Sequence, residues 1–358
     1  MPAPARRVTG RPLVARSLRG RMRGWDVMLF GILAVVVTWN AIDTPGYASM
    51  QNQVNLLQLG IERSIVVLAM AFVIISGEID LSVASVMALS GAVAAAMFER
   101  GMPIELGILV ALLVGLACGA FNGFWIAVVG LPSLAVTLAT LIGFRGLATM
   151  LIEDRSIGDF PQWFDTMGQS SIVGPFTFSI LLYGVLVIAA AVLLHLTGFG
   201  RITYVIGNSK DVARFSGVRV AWARIRIFMM SGTIAALAGV LYTARLGSAR
   251  ASTAEGFELD IITVVLLGGV SIFGGSGSML GVVLSTFLVL NLRNGLSLAG
   301  IEGNTQTGIV GALLILSVLL PNIAASVQDR RRRRTAARDG PGGTPPAPGE
   351  IPEGAPAS

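Results

Sequence analysis

The amino-acid sequence predicts an all-α, polytopic membrane protein of about ten transmembrane helices with two discontinuous segments. Three observations carry that expectation. Of 358 residues, 54% are hydrophobic and only 13% are charged, too little polar surface for a soluble chain of this size. Mostly apolar runs close to the ~20 residues that span a bilayer as helix recur along the chain. The 44 glycines add small residues of the kind that let membrane helices pack closely.

The first apolar run, 27–42, follows a basic tail containing Arg6, Arg7, Arg11, Arg16, Arg19, Arg21 and Arg23. It ends without a small-x-small cleavage site, so it reads as a retained helix and not as a removed signal. Further runs lie at 54–76, 81–98, 105–129, 133–152, 177–197, 226–245, 260–273, 279–298 and 306–321. Runs two and three are separated by SGEIDLS, which sets Glu78 and Asp80 between segments that would otherwise read as continuous helix. An ionisable group at bilayer depth costs about 3 kcal/mol or more, so it faces a protein interior or an aqueous path. The alternative is a short polar turn outside the lipid, with Asp80 capping the next helix. Run eight is interrupted by Gly274, Gly275 and Gly277 after about fourteen residues, too short to cross an average bilayer unaided. Irregular backbone at membrane depth is tolerated where protein buries it or water reaches it, and paired breaks of this kind commonly line a substrate path.

Charge sets the expected orientation. Arginines crowd the first 24 residues, the 201–226 connection and the stretch from Arg330 to Arg338. An even number of spans puts all three clusters on one face, which the positive-inside rule makes cytoplasmic. The resulting organisation is a basic tail over 1–24, a membrane domain over 25–325 and a second tail over 326–358, basic and then Pro/Gly/Ala-rich and disordered. Beside so many spans, Arg330–Arg334 reads as a topology signal with anionic lipid contact, not as a nucleic-acid site. On the other face, the connections 153–176, with Asp154, Asp159, Trp163 and Asp165, and 246–259, with Arg250, Glu255 and Glu258, are long enough to receive a partner.

Enzyme chemistry has little to stand on. Cys118 and His195 are the sole residues of their types, so neither an internal disulfide nor a multi-histidine metal site can form. The only lysine, Lys210, sits in NSKD, so a Walker A loop is absent and this chain cannot itself hydrolyse ATP in that way. No cofactor is called for. The segment GRITYVIGNSKDVARFSGVRVAWARIR, 200–226, can hold a short helix capped by Asn208 or Ser209, carrying Val212, Ala213 and Phe215, and ended by Gly217. It is either an ordinary basic loop or a helix that plugs into a groove on a soluble partner.

Four blocks, ISGEIDLSVASVMALSGAVAA at 75–95, VIGNSKDVARFSGVRV at 205–220, ARLGSARASTAEGFELDIITVVLLGGVSIFGGSGSMLG at 244–281 and LRNGLSLAGI at 292–301, together resemble the permease subunits of ribose-type ABC sugar importers. The likeness spans roughly 25–322. It implies an inner-membrane subunit with both termini cytoplasmic, paired with a second permease, an ABC ATP-binding subunit and an extracytoplasmic sugar-binding protein. It also implies that Gly207, Asn208, Lys210, Ala213, Arg214, Phe215, Ser216 and Gly217 form the coupling segment to the ATPase. Asp80, Leu81 and Ser82, and Gly268, Gly269, Ser271, Gly274, Gly275 and Gly277, match the family's two membrane signatures. Glu78 and Ala84 stand where ribose members usually carry glycine, and GEIDLSVA, RLGSAR and VIGN are similar to the rhamnose branch. By polarity, Asp80, Ser82, Asn122 or Asn291 would meet substrate hydroxyls, while Glu78 would tune substrate or gate. The rival expectation is an ion-coupled secondary carrier with Glu78 and Asp80 as its ion site, since intramembrane carboxylates serve in proton relays.

Overall fold

The apolar runs form helices; the first interruption is where the sequence puts it, and the second begins earlier than expected, at Gly268. A computed structural model describes residues 13–153, 155–303, 305–312 and 315, all within one compact unit that ends at Ile315. The elements are α1 (Leu13–Asp43), α2 (Met50–Ile75), α3 (Val83–Glu99), α4 (Ile104–Phe124), α5 (Ser133–Ile152), α6 (Gln162–Gln169) and α7 (Phe178–Leu196). They continue with α8 (Gly198–Asn208), α9 (Lys210–Phe215), α10 (Val220–Leu246), α11 (Phe257–Leu267) and α12 (Met279–Leu298). A small antiparallel hairpin, β1 (Ser171–Val173) and β2 (Phe176–Thr177), lies between α6 and α7. Helix resumes at 303 and over 305–312, the start of the expected tenth span. The rest of that span, Arg330–Arg334, the 326–358 tail and residues 1–12 lie outside the described residues.

Local chemistry explains the boundaries. The Ser49 hydroxyl accepts from the Asn52 N–H to start α2, and Ser278 does the same for Gly281 at the start of α12. Pro103, Pro132 and Pro161 stand immediately before α4, α5 and α6, where a missing N–H costs nothing. The chain from α4 continues through a π-helical turn, Trp125–Val129, which Gly130 ends in the left-handed region.

Among the described residues, seven helices are long and apolar enough to cross a membrane. Of the remaining expected spans, α3 has 17 residues and α11 only 11, and these are the two that adjoin the breaks. The eighth run was expected to continue to 273, but Gly268 and Gly269 stop it at Leu267, with Gly269 at φ +81°. Both α2 and α3 are buried almost all round and form the centre of the unit. Apolar faces of α1, α5 and α7 point outward, with Val35, Ile142 and Ile188 exposed, as befits helices bordered by lipid.

The tightest helix pairing is α4 with α10. Gly115, Gly119 and Gly123 form a stripe at four-residue spacing that faces Gly232, Phe228 and Ile225, so the two backbones touch directly. A Cβ on Gly119 would lie 2.8 Å from the Met229 Cα, with the Phe228 carbonyl closer still. Gly119→Leu is therefore expected to cost at least about 1–3 kcal/mol through overpacking. A clear fall in thermal stability in detergent is the measurement, and an unchanged midpoint would refute the pairing.

Helix direction alternates, and cross-contacts fix the two ends. At one end meet the C-termini of α2, α7 and α11 and the N-termini of α3, α5, α10 and α12. At the opposite end the 153–176 and 246–259 connections pair through Ile157 and Ala249, whose N–H groups donate to each other's carbonyls at 3.2 and 2.8 Å. Arg145 clamps the second connection by donating to the Ala251 and Thr253 carbonyls.

Candidate functional site

The break between α2 and α3 begins at Ser76 and Gly77, the latter at φ +79°, and its backbone groups are met by a neighbouring helix. The Ile79 N–H donates to the Ser133 hydroxyl at 3.2 Å, and the Thr137 hydroxyl donates to the Ile79 carbonyl at 3.3 Å, so α5 replaces the missing helical partners. Asp80 is buried. Its Oδ1 accepts from the Ser82 N–H at 3.0 Å and the Ser82 hydroxyl at 2.6 Å, and its Oδ2 accepts from the Ser231 hydroxyl at 2.9 Å. Asn122 then donates to Ser82 Oγ at 2.8 Å, which joins α4 and α10 to the break.

Asp80 was expected to cap α3, and its Oδ1 does accept the Ser82 N–H at the start of that helix. Ser82 holds the N-cap position without a side-chain cap bond, and Asp80 closes a local turn onto Ser82. Of the four residues assigned by polarity, the fold brings Asp80, Ser82 and Asn122 together but sets Asn291 elsewhere. Asn291 accepts from the Tyr47 hydroxyl, and its carbonyl accepts from Asn40, near the opposite end. In the central cluster Asn122 Oδ1 is buried and has no hydrogen-bond partner. Sequence reasoning missed Ser231, because one hydroxyl in an apolar helix carries no distinguishing signal. Asp80→Ala is expected to strand three donors at about 1–3 kcal/mol for each group left unsatisfied. Uptake and thermal stability should both fall, with Asp80→Asn milder; wild-type behaviour of the alanine variant would show that the cluster does not hold the break.

The second break lies directly against the first. Gly275 donates its N–H to the Ile75 carbonyl at 2.8 Å, and the Tyr204 hydroxyl of α8 donates to the Gly277 carbonyl at 2.8 Å. Asn208 donates to the Gly275 carbonyl at 3.1 Å. At the point of closest approach Gly207, Gly274 and Gly77 form a junction of bare backbone. A Cβ on Gly274 would sit 2.8 Å from the Gly77 Cα, and one on Gly207 would run into the Ile75 carbonyl. Two breaks about 200 residues apart in sequence thus share one contact with the 201–226 segment.

That segment holds most of α8, all of the short helix α9 and the first turns of α10. Ser209 caps α9 by accepting from the Val212 N–H at 3.3 Å, and Gly217 follows it at φ +79°. Ala213 is buried against Ile206 and Val220, whereas Phe215 is 91% exposed and Val212 57%. Arg214, Ser216 and Gly217 are exposed beside them. Phe215 and Val212 thus stand exposed on a helix whose N-terminus Ser209 caps.

Glu78 does not point along this surface. Its Oε1 is shared by Arg224 Nη2 of α10 at 2.5 Å and Lys210 Nζ of α9 at 2.9 Å, and only 4% of its side chain is exposed. A second charged network, unforeseen from the sequence, lies nearer the other end. Arg245 pairs with the buried Glu62 at 2.8 Å, while Asp260 receives Arg63 at 2.7 Å and Arg293 at 2.8 Å. Arg63 also stacks over the Phe257 ring at 4.1 Å. Glu62 and Arg63 were legible as charges within an apolar run, the same signal that marked Glu78.

The family model described as "Branched-chain amino acid transport system / permease component" matches residues 52–318. Among characterised relatives, the ribose import permease protein RbsC of Bacillus subtilis is 34% identical over 81% of this chain and 89% of its own length. The xylose transport system permease protein XylH of Escherichia coli strain K12 is 30% identical over 82% of this chain and 90% of its own length. The autoinducer 2 import system permease protein LsrD of Yersinia enterocolitica is 33% identical over 84% and 92%. A multi-pass helical bundle, two adjoining breaks and this match across both of them agree: the chain belongs to the branched-chain amino acid transport system / permease component family.

Proposed function

We propose that this protein is the transmembrane permease subunit of an ABC-type importer of a small sugar, driven by a separate ATP-binding subunit. The observation that carries the reading is the family match over 52–318, with relatives named for ribose, xylose and autoinducer 2 import. The junction end, with its arginine-rich 201–226 segment, is then cytoplasmic under the positive-inside rule, and both termini lie on that side of a bacterial inner membrane. The joined 153–176 and 246–259 connections face outward and receive the sugar-binding protein. A second permease copy completes the path, and lipid surrounds it.

In this mechanism ATP-driven closure of the motor subunits moves α9, and the junction of Gly77, Gly207 and Gly274 passes that movement to both breaks. Asp80, Ser82 and Asn122 hold the first break in register, and the unpartnered Asn122 Oδ1 is the acceptor available to a substrate hydroxyl there. Rhamnose is the sugar we assign, on the likeness of GEIDLSVA, RLGSAR and VIGN to that branch. The ion-coupled alternative gains no support from the carboxylates, because cations occupy Glu78 and three donors occupy Asp80.

The coupling surface gives the direct test. Replacing Arg214 and Phe215 together with alanine removes an arginine and an aromatic from the exposed face of α9. Interface anchors of these types are worth about 2 kcal/mol or more each. Sugar uptake and co-purification of the ATP-binding subunit should both be lost while the chain still reaches the membrane. Unimpaired uptake overturns the coupling assignment, and uptake of ribose or xylose in place of rhamnose by the assembled transporter overturns the sugar.

A further inference from the structure

We infer that Glu78 is an electrostatic pin through which α9 sets the position of the first break, and that Lys210 is the releasable half of that pin. The inference rests on the reading of the chain as a permease driven by an ATP-binding partner. Glu78 sits at the first break, two residues before Asp80, whose carboxylate ties that break to α10 through Ser231 and, by way of Ser82, to Asn122 of α4. A displacement of Glu78 therefore reaches the Asp80 cluster across one intervening residue, Ile79.

The two cations on Glu78 are not equivalent. Arg224 is 10% exposed at the side chain and belongs to the long helix α10, so it neutralises the buried carboxylate whatever α9 does. Lys210 is 49% exposed and stands in the first turn of α9, the helix that also carries Phe215. A half-exposed lysine on a flexible stem, bound to a carboxylate that Arg224 already neutralises, is held weakly enough to be broken by a motion of α9. Both cations contact the same oxygen, Oε1, so loss of the lysine changes the pull on the carboxylate without leaving it unpaired. A glutamate that served only to neutralise Arg224 would have no use for the second cation. Glu78 and Lys210 are positioning residues in this scheme, and neither touches sugar.

The test compares Lys210→Met, Lys210→Glu and Lys210→Arg in the complete transporter, reconstituted with its ATP-binding subunit and sugar-binding protein. The readout is sugar moved per ATP hydrolysed. Lys210→Met should lower that ratio by about fivefold, the factor corresponding to about 1 kcal/mol for an ion pair with one partner open to solvent. Lys210→Glu, which sets a like charge against Glu78, should be worse, and Lys210→Arg should restore the ratio. Thermal midpoints should stay together, because Arg224 still compensates Glu78. A wild-type ratio for Lys210→Met, or Lys210→Glu no worse than Lys210→Met, overturns the pin.

A lysine acting directly on the partner is separated by a second comparison. In a Glu78→Gln/Arg224→Met background, Lys210→Met should cause no further loss, whereas a full additional loss overturns the proposal. If that background does not fold, co-purification of the ATP-binding subunit decides: it should be undiminished with Lys210→Glu, and its loss overturns the proposal. Failure of the unsubstituted protein to show ATP-dependent uptake in the same assembly would sink the importer reading instead, so the two failures are distinguishable.

Discussion

Gly207→Ala is expected to abolish uptake while leaving the protein in the membrane. The added methyl has nowhere to go, because the Ile75 carbonyl and the Gly275 N–H both lie closer to that position than a Cβ can stand. Those two groups are also hydrogen-bonded to each other at 2.8 Å, so the substitution must part the two breaks or push α8 away from both. Overpacking against backbone costs about 1–3 kcal/mol or more, since no flexible side chain can yield. At about 1.4 kcal/mol per tenfold change, that is enough to depopulate the joined arrangement by one to two orders of magnitude. Of the long helices, α2 reaches this point only with its last residue, Ile75, so insertion and abundance should stay near wild type. Uptake assays with membrane quantification check both parts. Wild-type uptake would show that α8 need not touch the breaks for transport.

How much of this was visible in the sequence depends on the range of the interaction. The spans were legible because a bilayer demands runs of fixed length and apolarity, which are local properties. Both breaks were legible for a related reason, since Glu78, Asp80 and the glycines from 274 to 277 interrupt those runs, although the second break opens earlier, at Gly268. The cap of α9 at Ser209 and its end near Gly217 followed from short-range hydrogen-bond chemistry. That the two breaks touch was not legible, because no local rule links Ile75 to Gly275. The same limit hid Ser231 and the partners of Glu78. Glu78 drew notice as an ionisable group at membrane depth, yet its environment is set by Arg224, 146 residues away. Glu62 and Arg63 carried the same warning. They were passed over because each pairs with a residue from another helix and the run containing them is otherwise helical and apolar.

That pairing yields the largest effect expected on stability. Arg245→Ala removes the partner of a glutamate that is 1% exposed at the side chain, in the middle of the central helix α2. Breaking a buried ion pair from one side costs about 3–5 kcal/mol, because the remaining charge stays desolvated and unpaired. The arginine also covers the Tyr242 ring at 4.8 Å, so its packing is lost as well. A steep fall in detergent thermal stability and in membrane yield is expected from the single variant. Replacing both residues, as Glu62→Leu with Arg245→Met, removes the stranded charge together with its partner. Paired apolar replacement of this kind is often neutral or stabilising by about 1–4 kcal/mol, so stability should return. Uptake should return with it, since the pair fastens α2 to α10 at a distance from the Asp80 cluster and the junction. If stability returned without uptake, the charges themselves would have to serve transport, and the path would run past Glu62 as well as Asp80.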